Sequence, residues 1–350
     1  MLKQLSIKNL RGITDLVMDD LGQVNLFVGA NNSGKTTVLE ALFYLLGAPN
    51  PALPLVTNAL RGMRLLSDEL LATFFHDMNA GDPVTIAGRF ENDGRACDGE
   101  LKISLVKRER EIEPVAPEGG VVPRKRNGSS VMEKEVGLEL VHVEDNARRS
   151  ARVYLKDGKI EPEGDTEPLR RVVFLSPMGD SEWKSRFAKI QSRKRVPEVI
   201  QHLQKIDPSI TDLRLNDAGL VEADIGLEKL IPVNLMGGGL VRFFSIVLTL
   251  YDLEGDVLLV DEIETGLHHS SQQELWNAVF DLAHTMNVQV FATTHSYECI
   301  QAFAGSSTTR GLFGEQARVF RIERKDGKCR ATSYTPDVLA ESVASHWEVR

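Results

Sequence analysis

The stretch VNLFVGANNSGKTTVLEALFYLL, from Val24 to Leu46, decides how this chain folds. Its opening VNLFV is a short apolar run of strand formers, and its closing TTVLEALFYLL is built of helix formers up to Gly47 and Pro49, where a helix should stop. Between them GANNSGKT, Gly29 to Thr36, fits the phosphate-binding loop G-x-x-x-x-G-K-[ST] at every fixed position. Gly29 and Gly34 let the chain curl so that successive backbone N–H groups point inward at phosphates, and the helix that follows adds its positive end. Lys35 is expected to reach the β- and γ-phosphates of ATP, and Thr36 to offer its hydroxyl to Mg²⁺. Asn32, Ser33 and Thr37 complete the expected ATP contacts. A chance glycine-rich turn would lack the strand before it and the helix after it.

Far downstream, DVLLVDEIETGL supplies a second motif, a buried strand over Val257 to Val260 that ends in Asp261 and Glu262. Asp261 is expected to hold the magnesium shell. Glu262, one residue further, is the expected catalytic base that polarises the attacking water. A strand ending in two acids says little alone, but paired with GANNSGKT it is specific. VQVFATTHS then places His295 just past another buried strand, Val288 to Ala292. The carboxyl ends of parallel strands face the ligand in a doubly wound sheet, so His295 is expected to sense the γ-phosphate.

Between these motifs the texture changes. Asn58 to Met78, with Leu65, Leu66, Leu70, Leu71, Phe74 and Phe75, reads as one amphipathic helix. After Gly81-Asp82-Pro83 come VTIAGRFE, LKISLVKRE, VGLELVHVE and ARVYLKDG, alternating segments that predict an antiparallel β lobe. Within it, EPVAPEGGVVPRKRNGSS reads as a mobile loop. RRVVFLSP reads as a buried strand returning to the core; a helical stretch over about 181–206 and a hairpin in LRLNDAGLVEADI follow. The expected fold is α/β, with a β-rich lobe and a helical lobe inserted into a nucleotide-binding core. The expected division is 1–80 and 236–350 for the core, 81–165 for the β lobe and 166–235 for the helical lobe.

With 350 residues, 42% of them hydrophobic and 26% charged, the chain can bury a proper core. It has no run of about 18 or more apolar residues and no secretory signal at MLKQLSIKNLRG, so no membrane partner is expected and the cytoplasm is the expected location. Cys97, Cys299 and Cys329 are far apart and read as reduced structural thiols. The net charge of −9 weighs against a surface that is basic all over. The one local exception is WKSRFAKIQSRKR, Trp183 to Arg195, whose six basic residues read as a solvated helix face or a nucleic-acid patch.

The ordered set IKNLRG, GANNSGKTTVLEAL, NLMGGGLVRFFSIVL, LLVDEIETGLHH and ATTHS resembles the ABC-type ATPases of the SMC, RecF and OLD group. Within that group it is most similar to stand-alone bacterial AAA ATPases of the AAA15 or OLD-like type. The resemblance implies a signature segment, ideally L-S-G-G-Q, that caps the γ-phosphate bound by another subunit. Leu235-Met236-Gly237-Gly238-Gly239 occupies that place, with Met236 for the serine and Gly239 for the glutamine. The backbone of Gly237, Gly238 and Gly239 is thus expected to act in trans in a homodimer or higher homo-oligomer. The resemblance further implies that Arg11 approaches the nucleotide and that Glu264 to His268 touches the partner subunit.

Absences narrow the role. There is no long heptad array, and the roughly 50 residues after His295 hold no cluster of acids suited to a nuclease. The expectation is an ATP-driven dimeric switch, an ATPase or sensor of antiphage defence. The alternatives are a slow ATP-binding scaffold for a separate nuclease or toxin effector, and a RecF-like clamp on DNA.

Overall fold

The computed structural model describes residues 1–63, 68–92, 94–112, 131–156, 159–177, 182–312, 316–325, 327–335, 338–339 and 341–342. Strands β1 (Leu2–Leu10) and β2 (Ile13–Met18) form a hairpin, followed by β3 (Val24–Val28), α1 (Lys35–Leu46), α2 (Leu53–Leu60) and α3 (Asp68–Ala72). A meander follows: β4 (Val84–Asn92), β5 (Arg95–Ile112), β6 (Val131–Glu144), β7 (Ala147–Lys156) and β8 (Lys159–Gly164). Next come β9 (Val172–Leu175), α4 (Trp183–Ser192), α5 (Val196–Gln204), β10 (Asp212–Leu215), β11 (Val221–Asp224) and β12 (Ile231–Pro232). The chain closes with α6 (Gly238–Asp252), β13 (Val257–Val260), α7 (His269–Thr285), β14 (Gln289–Thr293), α8 (Tyr297–Thr309), β15 (Ala317–Lys325) and β16 (Lys328–Tyr334).

Two large sheets sandwich α1. One is antiparallel, in the order β2-β1-β4-β5-β6-β7-β8; the other runs β16-β15-β3-β14-β13-β9, parallel except where β16 pairs with β15. Because its neighbours cover both faces, β3 is buried throughout and its side chains divide between two cores. Phe27 joins α1 and the antiparallel sheet, whereas Leu26 and Val28 join the helices α4 to α8 on the other face. α1 is apolar nearly all round for the same reason, since it lies between sheets rather than on a surface.

Several expectations change. The segment read as one helix over Asn58 to Met78 is broken: α2 starts earlier, at Leu53 with Pro54 in its first turn, and stops at Arg61-Gly62, where Gly62 turns left-handed at φ 79°. Phe75 then bridges to Leu10, which no continuous helix allows; residues 64–67 lie outside the described part. β2 was hidden in a stretch that reads as polar, its Thr14 and Asp15 masking buried Ile13, Leu16 and Met18. The β segment does not stand apart from the N-terminal hairpin, because β4 pairs directly with β1 and Ile7 lies opposite Ile86. Residues 113–130, read as a mobile loop, lie outside the described residues. β9 rejoins the core as the edge strand beside β13, but it is half-buried rather than buried, with only Leu175 fully covered.

Of the basic stretch that begins on α4, Arg186 alone is buried, while Lys184, Lys189, Arg193 and Lys194 are exposed. Trp183 and Phe187 are buried, and Arg186, Lys189 and Arg171 converge on Asp252. Arg193 meets Glu254, and Arg195 meets Glu198 while lying over the Tyr251 ring. No helix among the described residues is long and apolar enough to cross a membrane. The cysteines are free thiols, with Cys299 and Cys329 buried.

Candidate nucleotide site

The parallel strands β3, β13 and β14 deliver their carboxyl ends to one edge of the sheet. There the glycine loop, the acidic pair and His295 meet. Gly29 and Gly34 take φ values of 145° and 111°. At Gly29 a Cβ would stand 2.2 Å from the Ile322 carbonyl oxygen, so neither the dihedral nor the space admits a side chain. Lys35 opens α1 and folds back over the loop, its Nζ donating to the carbonyls of Gly29 at 2.7 Å and Ala30 at 2.9 Å. Burial lowers the Lys35 ammonium below the usual lysine range, opposed by the attraction of Asp261, Glu262 and Glu264. A desolvated cation beside a curl of N–H groups is an anion site by construction.

Asp261 ends β13 buried. Its carboxylate accepts from the Thr36 hydroxyl, which stands 3.1 Å from both oxygens, and from the Thr293 hydroxyl at 2.6 Å. Thr293 in turn accepts the Glu262 N–H at 2.8 Å, so one hydroxyl fixes both acidic residues. Glu262 turns left-handed at φ 48°, unusual for a non-glycine residue, and this sends its half-exposed carboxylate off the strand line into the cleft. His295 Nδ1 stands 4.0 Å from Glu262 and 3.6 Å from Glu264, whose buried Oε1 also accepts the His295 N–H at 3.2 Å. A hydroxyl and a carboxylate side by side at the loop's end are hard oxygen donors, the chemistry that suits magnesium.

These groups line a cleft of about 340 Å³. Of the residues expected at the nucleotide, Asn32, Ser33, Gly34, Lys35, Thr36, Thr37, Asp261, Glu262 and His295 share its wall. Gly29 lies just behind, contributing its carbonyl to Lys35. Arg11 is elsewhere: its Nε pairs with Glu40 at 2.8 Å, its Nη2 donates to Asn58 at 2.9 Å, and its guanidinium faces the Phe74 ring. The buried charge of Glu40 requires a counter-ion, and Arg11 serves it. In the cleft wall itself stands Arg61, from the turn that ends α2.

The glycine segment sits apart from this cleft, at the start of α6. Gly237 and Gly238 are exposed, and a Cβ on either would meet nothing within 4 Å. Gly239 is the opposite case, since a Cβ there would stand 2.5 Å from the Gly266 carbonyl oxygen in the loop after the acidic pair. One turn on, buried Arg242 reaches across to the carbonyls of Ser176 at 2.7 Å, Asp261 at 2.5 Å and Glu262 at 3.3 Å. The reading of motifs missed Thr293, Arg242 and Arg61. A lone cation in the apolar run LVRFFSIVL signals a buried partner, and Thr293 lies inside the quoted ATTHS. Arg61 leaves no trace in local sequence.

The AAA ATPase domain model of the AAA15 family matches residues 1–111 and 172–300. The ATP/GTP phosphatase of Helicobacter pylori (strain ATCC 700392 / 26695) is 22% identical over 349 residues, covering 93% of this chain and 93% of that protein. The OLD nuclease of Thermus scotoductus (strain ATCC 700910 / SA-01) is 23% identical over 342 residues, which is 85% of this chain and 59% of that one. In fold, the chain resembles the Smc head crystallised with the C-winged helix domain of ScpA, with a TM-score of 0.54 at 13% identity over 96% of this chain and 98% of that one. The chain belongs to the AAA15 family of AAA ATPase domains and is a nucleotide-binding ATPase of the SMC, RecF and OLD group.

Proposed function

We propose that this ATPase works as a switch: magnesium-ATP closes two copies of the chain on each other, and hydrolysis lets them part. The observation that carries this reading is the start of α6, where Gly237 and Gly238 hold a helix N-terminus open to solvent while Gly239 and Arg242 tie the same helix to the acidic pair. Such an N-terminus favours an anion, and the one this site handles is a γ-phosphate.

Within one copy, Lys35 and the loop N–H groups hold the phosphates, and Thr36 with Asp261 holds the metal. Magnesium, when bound, spreads the charge that develops on the phosphoryl oxygens. Glu262 takes the proton of the attacking water, and Glu264 keeps His295 turned toward the terminal phosphate. The likeness to the OLD nuclease favours antiphage defence as the setting, with a nuclease or toxin as the effector that the switch controls. A clamp on DNA is less favoured, because Lys189 of α4 and Arg193 and Arg195 just after it are engaged in ion pairs.

Mixing two defective variants tests the switch. Lys35→Ala should lose ATP binding and keep its fold. Gly238→Arg, placed where there is open space, should bind ATP yet fail to turn over. Together they form one intact site, the Lys35 of the second facing the undamaged glycines of the first, and ATPase activity should return in part. Mixed dimers without recovery would overturn the proposal, as would the absence of any ATP-dependent dimer.

A further inference from the structure

The phosphate loop has a back as well as a front. β15 and β16 lie behind it: the Ile322 carbonyl of β15 crowds Gly29 at one end, and Cys329 of β16 stands at the other, where a Cβ on Gly34 would lie 3.5 Å from its Sγ. Cys329 is buried, 4% exposed, and its thiol donates to the Ser33 carbonyl at 3.5 Å. Burial pushes the Cys329 thiol up from its ordinary range, against the pull of Arg324, so it keeps its proton and remains a donor at neutral pH. Cys329 forms no part of the cleft wall, so it acts from outside.

A loop that points its N–H groups at an anion points its carbonyls the other way, and each buried carbonyl needs a donor. Gly29 and Ala30 have theirs in the Lys35 ammonium. The Ser33 carbonyl belongs to a buried residue, and among the described residues the Cys329 thiol is its one donor. The bond also acts on the other side of its peptide. In a trans peptide C=O and N–H point in opposite directions, so a Ser33 carbonyl held at the back turns the Gly34 N–H to the front. There Gly34 lines the cleft, and its N–H donates to no group among the described residues. The hold matters at this peptide because Gly34, at φ 111° and without a side chain, resists rotation least. A buried cysteine is more often a small apolar filler, but a filler need not face a carbonyl that has no other donor.

We propose that Cys329 is a positioning residue for nucleotide binding: by holding the Ser33 carbonyl, its thiol pre-sets the Gly34 N–H toward the phosphates that Lys35 and the loop receive. It touches no nucleotide itself. A loop set before the ligand arrives spares the ligand the cost of ordering it, so the gain appears as affinity and is shared by ATP and ADP, whose common phosphates the loop meets. The inference rests on the loop being the phosphate site.

The test measures ATP and ADP affinity by calorimetry, and the Gly34 amide by NMR, in the full chain carrying Cys329→Ala, Cys329→Val or Cys329→Ser, with Lys35→Ala alongside. Ser-Gly occurs once in the 350 residues, at Ser33-Gly34, so carbonyl-labelled serine with nitrogen-labelled glycine in cell-free synthesis isolates that one amide. Cys329→Ala should weaken both nucleotides about fivefold, the net worth of one neutral hydrogen bond. In the free chain its Gly34 signal should broaden by exchange on the μs–ms timescale as the peptide flips, and sharpen again at saturating ADP. Cys329→Ser keeps a donor and should recover most of both. Unchanged affinity in Cys329→Ala overturns the inference; so does a fall that Cys329→Ser shares in full, or one that leaves the Gly34 signal as sharp as the parent's, the mark of lost packing. Should Cys329→Ala melt early, Cys329→Val decides in its place, because it fills the space without a donor. If Lys35→Ala still binds ATP, the location of the phosphate site fails first, and the positioning role with it.

Discussion

The starts of α1 and α6 are built from the same materials, glycines leading into a helix, and they end in opposite conditions. At α1 Lys35 folds back over the glycine loop, and Thr36 and Asp261 are already paired, so these groups are brought together within a single chain. At α6 the glycines face solvent and nothing within 4 Å would meet a side chain at Gly237 or Gly238. What separates them is the sheet: α1 follows the central strand β3 and is buried in the core between the two sheets, whereas the glycines that open α6 are exposed. A helix N-terminus alone says only that an anion is welcome; its surroundings decide whether the site is finished.

The largest expected effect lies at the finished end. Glu262→Gln keeps the shape and removes the base, so ATP should still bind while turnover falls roughly a hundredfold or more, measured as phosphate release under saturating ATP. Turnover at the parent rate would mean that the left-handed turn at Glu262 serves something other than catalysis.

An intermediate effect is expected along the link between the two ends. Arg242→Met fills the same space but leaves the carbonyls of Ser176, Asp261 and Glu262 without their donor. Thermal unfolding should show a loss on the order of 3 kcal/mol, and turnover should fall as Glu262 loses its anchor. A variant that melts and turns over like the parent would show the two ends to be uncoupled.

The smallest effects separate neighbouring glycines of α6. Gly238→Ala adds a methyl into open space and should change stability by less than about 1 kcal/mol. Gly239→Ala drives a methyl against the Gly266 carbonyl, so it should destabilise more and slow turnover by shifting the loop after the acidic pair. Equal melting temperatures for the two would erase the distinction between the open and the packed glycine.

The make-up of the candidate cleft was legible wherever chemistry and chain neighbourhood coincide. GANNSGKT needs its glycines, lysine and threonine adjacent because one curl of backbone wraps one chain of phosphates, and so Gly29 to Thr36 could be read directly. Asp261, Glu262 and His295 could be read as well, since each closes a buried strand and the ends of parallel strands gather at one edge. Thr293 was within a quoted motif, yet its double duty to Asp261 and Glu262 depends on β13 and β14 being neighbours.

Sequence by itself determined the α/β class, the phosphate loop, the acidic pair and the alternating strands of the β segment, because local pattern and period carry those. Only the tertiary structure decided that β4 continues the N-terminal hairpin, that Arg11 turns inward to Glu40, and that Arg61 lines the cleft. The physical reason is that sheet order and counter-ion choice are settled by which surfaces are buried together. An arginine's partner is whichever carboxylate the fold has desolvated beside it, and no spacing along the chain encodes that.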